Sequence, residues 1–179
     1  ESAVYFKGSA YLHAIEPTAA SAAGMAAQAI SKKDNSKAIQ YLQEAIKLET
    51  SKSVKSDYYL NIANIYLSQK NYQACRSNAQ SALAMDPTAG QAYIMIAYAY
   101  AYGYTSIDDD PVIQKTAFWA AVDKLEKAKA VDSSLASQAN SLIASYKKQF
   151  PDKSELFMRG IKGGSYKVPG WIGETTTVR

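Results

Sequence analysis

Residues 56–90 constrain the fold more than any other part of the sequence, because they carry two helical stripes in succession. The first stripe has the i, i+3, i+4, i+7 spacing of an amphipathic helix and consists of Tyr59, Ile62, Ala63 and Tyr66. The second stripe precedes Asp86 and Pro87 and consists of Tyr72, Cys75, Ala79, Ala82 and Leu83. Since large and small residues alternate, we predict two closely packed antiparallel helices joined by a polar turn at residues 69–71.

The same pattern recurs before and after this stretch. The first stripe reappears 34 positions later as Tyr93, Ile96, Ala97 and Tyr100. Three positions of the second half, Cys75, Ala82 and Met85, are matched earlier by Ala38, Ala45 and Leu48, and later by Ala121, Ala128 and Val131. Extra residues near 50–54 and 102–112 account for the unequal spacing. The sequence therefore contains one helix-pair unit three times.

This unit resembles the tetratricopeptide repeat (TPR), in which a large residue, an aliphatic-small pair and a Tyr precede a helix that ends at Asp-Pro. The resemblance covers about residues 19–135 and is most specific in the second unit. It is weaker in the first unit, where Ala22 and Ala29 replace the usual large residues. It implies an all-α fold, a TPR-type helix-turn-helix solenoid.

The predicted organisation is a helical solenoid at residues 1–150 followed by a tail at residues 151–179. Within the solenoid we predict an N-terminal helix at 2–14, repeats at 19–52, 56–89 and 90–132, and a capping helix at 133–150. The tail combines turn signals such as Gly163-Gly164 with β-prone residues. We expect an irregular or short β-hairpin segment packed on the solenoid end.

The resemblance implies a non-enzymatic scaffold that binds a protein or peptide in the concave groove formed by the first helices of successive pairs. The groove positions transferred to this sequence are Asp57, Leu60, Asn61, Asn64, Leu67, Gln91, Ile94, Met95, Tyr98 and Tyr102. They predict an apolar floor with amide edges, suited to an extended peptide or a helix. In the alternative interpretation, neighbouring helices or the tail already cover these residues.

One familiar TPR ligand mode is not supported. A clamp of Lys, Asn and Arg grips a C-terminal carboxylate in that mode, and only Asn61 matches it here. The remaining clamp positions carry Ala23, Ala27, Gln91 and Met95, which supply no cation. We therefore do not expect a carboxylate clamp.

No motif in the sequence predicts catalysis, a cofactor or a metal site. His13 is the one histidine and is interpreted as a surface or helix-end residue without a catalytic partner. Cys75 is predicted to be a buried, inert thiol at a helix crossing. Asp108, Asp109 and Asp110 precede Pro111, so capping of a helix is expected there, and not a calcium loop.

A second function class uses exposed aromatic residues of the insert or tail. Tyr104 and Trp171 could form a platform for a carbohydrate or another ligand, whereas a lone Trp more often anchors a tail to the core. Loss of glycan binding in a Tyr104→Ala or Trp171→Ala variant would favour this alternative.

Charge and hydropathy argue against two further classes. The net charge of +4 is spread along the chain, which is not the concentrated basic stripe of a nucleic-acid binder. No apolar run reaches the ~18–20 residues that span a membrane.

The start at Glu1 favours a processed product, and the ending resembles that of exported bacterial TPR proteins. An exported or periplasmic location is therefore favoured over a cytoplasmic one, while the partner and the oligomeric state stay open.

Overall fold

A computed structural model describes residue 11 and residues 13–179 of the chain. Most of the predicted N-terminal helix at 2–14 lies outside the described residues. The main helices are α1 (Ala19–Ser31), α2 (Asn35–Leu48), α3 (Lys52–Ser68), α4 (Tyr72–Met85), α5 (Gly90–Tyr102), α6 (Pro111–Gln114), α7 (Ala117–Val131), α8 (Ala136–Lys147) and α9 (Lys153–Met158). Two 3-10 turns, Tyr104–Ser106 and Ser133–Leu135, and two strands, β1 (Ser165–Lys167) and β2 (Thr175–Thr177), complete the described elements.

The turns inside the first two helix pairs are built alike. Lys33 and Lys70 both adopt a left-handed backbone, with φ of 59° and 58°. The residue that follows each of them caps the next helix, because Asp34 accepts from the Lys37 N–H and Asn71 accepts from the Ala74 N–H. This repeated local chemistry gives each pair the same sharp reversal.

The helices stack in chain order. Within pairs, α1 packs on α2, α3 on α4, and α5 on α7. Between pairs, α2 packs on α3 and α4 on α5, and α8 covers α7. The first helices α3 and α5 also lie side by side. This arrangement is an all-α helical solenoid, which confirms the predicted fold class.

Small residues occupy the tightest helix crossing of the second pair. Ala63, Ala79 and Ala82 are fully buried, and the Ser56 hydroxyl donates to the Ala82 carbonyl at 3.1 Å. Cys75 is buried as predicted, and its burial raises the pKa of the thiol to about 12. At neutral pH the thiol is therefore protonated and unreactive.

The insert between α5 and α7 is ordered by its aspartates. Asp108 accepts from the Asp110 N–H at 2.8 Å, and Asp110 accepts from the Val112 N–H at 2.8 Å. Arg159 also binds Asp110 through two hydrogen bonds of 2.6 and 3.0 Å, and this interaction lowers the pKa of the Asp110 carboxyl. The predicted capping role is confirmed for Asp110.

The C-terminal tail folds back along the solenoid. It packs on helices of the second and third pairs, and its contacts extend beyond the last helix of the stack. Strands β1 and β2 pair antiparallel, with Tyr166 opposite Thr176. Val168 and Ile172 are buried in the main hydrophobic cluster, and β2 contacts α7. The tail also reaches α4 of the second pair, because the Arg76 guanidinium donates to the Trp171 carbonyl.

Glu174 holds the tail to three helices at once. Its carboxylate accepts from the Tyr100 hydroxyl at 2.6 Å and pairs with Lys124 at 2.6 Å and with Arg76 at 3.8 Å. Burial, followed by the hydrogen bond to Glu174, raises the pKa of the Tyr100 hydroxyl, so it stays neutral and donates. We call Arg76, Tyr100, Lys124 and Glu174 the tail latch.

Glu174→Gln is expected to lower the free energy of unfolding by about 1–3 kcal/mol, because it leaves the nearly buried Lys124 ammonium without a counter-charge. Urea denaturation followed by circular dichroism measures the change. Glu126→Gln is the matched control, since Glu126 pairs with Lys129 at the surface and should cost less than about 1 kcal/mol. Equal losses in the two variants would contradict the latch.

Among the residues that the structure describes, no helix combines the length and the apolar character needed to cross a membrane. In the same residues, no group of three His, Cys, Asp or Glu side chains lies close enough to hold a metal ion.

Candidate functional site

The α3 side of the predicted groove carries polar side chains that are free to bind. Asp57, Asn61 and Asn64 are exposed, and Leu60 is half-buried between them. Within the described part of the chain, the Asn61 and Asn64 side chains make no hydrogen bond, unlike Asn71 and Asn78 on the other helix of this pair. Each free amide can donate and accept, which is what a peptide backbone requires.

The α5 side presents a pair of tyrosines. Tyr98 and Tyr102 are one helical turn apart, and their rings stack at a centroid distance of 5.6 Å and an interplanar angle of 3°. Tyr98 is half-buried, whereas Tyr102 is 54% exposed. The Tyr98 hydroxyl accepts from the Gln138 amide of α8 at 3.3 Å. Helix α8 therefore borders the site on the side opposite α3.

Two predicted groove residues, Ile94 and Met95, do not reach the surface. Ile94 is 0% exposed and Met95 is 5% exposed, and both belong to the main hydrophobic cluster. The physical reason is the central position of α5, which is enclosed by α3, α4 and α7. The expectation that these two residues form an accessible apolar floor is wrong, while Gln91 on the same helix is exposed.

Tyr146 of α8 lies beneath this surface and packs inward, as the sequence predicted. It packs on Phe118 with ring centroids 5.7 Å apart, and its buried hydroxyl has no hydrogen-bond partner among the described residues. Burial and, to a smaller extent, the nearby Tyr98 and Tyr102 raise the pKa of this hydroxyl. This hydroxyl is part of the core beneath the site and does not line the groove.

The site has almost no charge. Asp57 is the one residue with a charged side chain at neutral pH among the groove positions that stay accessible. The other accessible positions carry Leu, Asn, Gln and Tyr. Ala23 is half-buried and Ala27 is exposed at positions where a carboxylate clamp needs polar side chains. The structure therefore offers no cation to grip a carboxylate at these positions.

Trp171 has a different role at the edge of the tail. Its indole N–H donates to the Ser106 hydroxyl at 3.0 Å, and its ring meets Tyr100 edge-on at 5.7 Å. A cleft of about 300 Å³ lies beside it, lined by Gln69, Lys70, Asn71, Tyr72, Gln73, Ser106 and Trp171. Tyr104 packs on Phe118 at 5.1 Å. Both aromatic residues thus anchor the insert and tail, and Trp171 also borders a cleft.

His13 has two polar neighbours that the sequence did not indicate. Its Nδ1 lies 3.1 Å from the Ser21 hydroxyl oxygen, and its Nε2 lies 3.4 Å from the Glu44 carboxylate. The Ser21 hydroxyl, however, donates to the Thr18 carbonyl and accepts from the Thr18 N–H, as part of the cap of α1. The arrangement ties the N-terminal segment to α1 and α2.

This geometry defines a helical solenoid of the TPR type. No protein-family model and no curated protein matches the sequence. Among solved structures, the TPR domain of Arabidopsis OM64 is similar, with a TM-score of 0.56 and 18% sequence identity over 73% of this chain and 94% of that one. The TPR2B domain of yeast Sti1, solved as a complex with pHsp70, is similar with a TM-score of 0.59 and 20% identity over 73% of this chain and 97% of that one. At these identities the likeness establishes the fold.

Proposed function

We propose that the chain is a non-enzymatic scaffold that binds a protein or peptide in the groove between α3, α5 and α8. The observation that carries this proposal is the pairing of free amides, Asn61 and Asn64, with the stacked rings of Tyr98 and Tyr102 on the adjacent helix. The fold is consistent with it, since one structural neighbour, the yeast TPR2B domain, was solved in a pHsp70 complex.

The chemistry of the groove favours an uncharged, extended segment. Two asparagines one helical turn apart can hydrogen-bond successive peptide groups, and the tyrosine faces can hold apolar or proline side chains. A ligand held mainly by its terminal carboxylate is disfavoured, because Ala23, Ala27 and Gln91 stand at the clamp positions.

A peptide library displayed on phage, selected on the wild-type chain, tests the proposal. We expect Asn64→Ala and Tyr98→Ala to weaken each selected peptide at least about tenfold in calorimetric titrations, because central amide and aromatic contacts dominate such interfaces. Gln80→Ala is the matched control, since Gln80 is an exposed amide on α4, the second helix of its pair. Selected peptides that bind all three variants equally would contradict the groove.

Two further proposals rest on the sequence. The first divides the chain into a solenoid at residues 1–150 and a tail at residues 151–179, and limited proteolysis near residue 151 tests it.

The second places the protein outside the cytoplasm, and fractionation of the source cells tests it.

A second candidate function uses the cleft beside Trp171. Its lining of Trp171, Tyr72 and the amides Gln69, Asn71 and Gln73 has the aromatic and amide composition that suits a sugar. A glycan array separates the two functions. Binding lost in Gln69→Ala and Gln73→Ala, which leave the tail contacts of Trp171 in place, would favour a carbohydrate-binding protein over a peptide scaffold.

A further inference from the structure

A pocket separate from the groove lies between α9 and the C-terminal strand. Its volume is about 360 Å³, within the range of roughly 300–1,000 Å³ that is usual for small-molecule sites. It is lined by Lys153, Leu156, Phe157, Ile161, Lys162, Gly163, Val178 and Arg179. The chain reverses at Gly160 to Gly164, and the Val178 N–H donates to the Gly164 carbonyl at 2.9 Å, which sets the two walls of the pocket.

The apolar part of the pocket lining is only partly covered by the protein. Leu156 is buried, Ile161 and Val178 are half-buried, and Phe157 is 65% exposed. Phe157 is a large aromatic side chain exposed to water beside an open apolar pocket. Covering it with a ligand removes apolar surface from water and so favours binding. The pocket therefore favours an apolar chain over a polar ligand.

The rim of the pocket is cationic. Lys153 and Lys162 are exposed and form no ion pair within the described residues, and the Lys162 ammonium lies 5.6 Å from the centre of the Phe157 ring. Arg179 is committed to Asp123, so it contributes mainly its aliphatic stem.

No acidic side chain is among the described residues that line the pocket. Asp152 caps α9 through the Ser154 N–H, at 2.7 Å, and Glu155 is half-buried one residue before Leu156. Asp110 of the insert is paired with Arg159, and Asp123 of α7 is paired with Arg179. Two lysines therefore remain to attract an anion at the rim.

We propose that this pocket binds an aliphatic carboxylate of medium chain length, with the chain on Leu156, Phe157, Ile161 and Val178 and the carboxylate between Lys153 and Lys162. The apolar floor selects the chain and the two ammonium groups select the anion. The site is independent of the groove and of the proposed peptide binding.

Titration of the full chain with decanoate below its micellar concentration tests the proposal. In ¹⁵N–¹H NMR spectra we expect saturable shifts confined to residues 153–163 and 178–179. Octanoate should bind up to about fifteenfold more weakly, because each buried methylene contributes up to about a fourfold change. Decylamine, which has the same chain and the opposite charge, should not bind at this site.

Phe157→Ala should weaken decanoate binding about tenfold, and Lys153→Gln with Lys162→Gln should weaken it by a similar factor. Met158→Ala is the matched apolar control, because Met158 is 76% exposed and does not line the pocket. Lys147→Gln with Lys148→Gln is the matched charge control, since both lysines are exposed on or just beyond α8. Both control variants should bind within about twofold of the wild type.

Three results would overturn the proposal. The first is that Phe157→Ala and Met158→Ala weaken decanoate binding equally. The second is that decanoate shifts the NMR signals of groove residues and not those of the pocket. The third is that the protein associates with anionic lipid vesicles but does not bind decanoate. The last result would assign this surface to a membrane and not to a soluble carboxylate. Because peptide binding depends on Asn64 and Tyr98, its failure is distinguishable from each of these.

Discussion

Gly170→Ala is expected to destabilise the protein by about 2–5 kcal/mol and to release the tail from the insert. Gly170 has a φ of +61°, and a side chain in this left-handed region costs about 1–2 kcal/mol. A Cβ at this position would also lie 2.5 Å from the Ile107 carbonyl oxygen and 2.8 Å from its Cα. Both are backbone atoms that cannot rotate away, so overpacking adds about 1–3 kcal/mol. Urea denaturation followed by circular dichroism measures the loss.

Gly173→Ala is a close control for this variant. Gly173 has the same φ of +61°, but its added Cβ would meet only the Gly170 carbonyl oxygen, at an ordinary 3.9 Å. We expect a loss of about 1–2 kcal/mol from the backbone conformation alone. The difference between the two variants isolates the contact of Gly170 with Ile107, and equal losses would mean that this contact is not tight in solution.

Trp119→Ala is expected to cost about 3–5 kcal/mol, the usual loss when a large buried aromatic residue is truncated. Trp119 is 0% exposed and meets Phe150 and Tyr166 edge-on at 6.4 and 5.6 Å. It lies where α7, the segment after α8 and the β-hairpin converge. The cavity left by its removal would therefore loosen the tail as well as the helices, and the thermal midpoint should fall accordingly.

Trp119→Phe separates volume from polarity at the same position. The indole N–H of Trp119 is buried and has no hydrogen-bond partner among the described residues. Phe keeps most of the ring volume and removes this unpaired donor, so we expect a loss well below that of Trp119→Ala. Phe157→Ala, at an exposed position, should change stability little. A Trp119→Ala melt that matched the Phe157→Ala melt would contradict this packing.

Local sequence determined the helices and the faces that they bury. Ile62 and Ala63 of the first stripe and the small residues Ala79 and Ala82 are buried as their spacing predicted. The two tyrosines of that stripe, Tyr59 and Tyr66, are partly buried. Each of these inferences uses only the 3.6-residue period and the size of neighbouring side chains. A helix pair with such faces cannot bury them without further copies, so the repeated pairs predict a stack, and the resemblance to the tetratricopeptide repeat implies the solenoid class.

The candidate groove was predictable only in part. The exposed asparagines and the Tyr98–Tyr102 pair follow from helical spacing, because residues at i and i+4 share a face. The burial of Ile94 and Met95 was missed because it depends on how many helices surround α5, which helical period does not encode. Tyr146 is core as predicted, but its lack of a hydrogen-bond partner depends on which residues pack around it, and the sequence does not encode that.

The C-terminal tail shows which features the sequence determines by itself and which only the tertiary structure decides. The sequence by itself determined that helical periodicity ends near residue 151 and that Gly-rich turns and β-prone residues follow. Only the tertiary structure decided that Glu174 meets Tyr100, 74 positions earlier, and the Lys124 and Arg76 side chains on two other helices. Such contacts join residues that share no local period, so their register is fixed by the packed helices that bring them together.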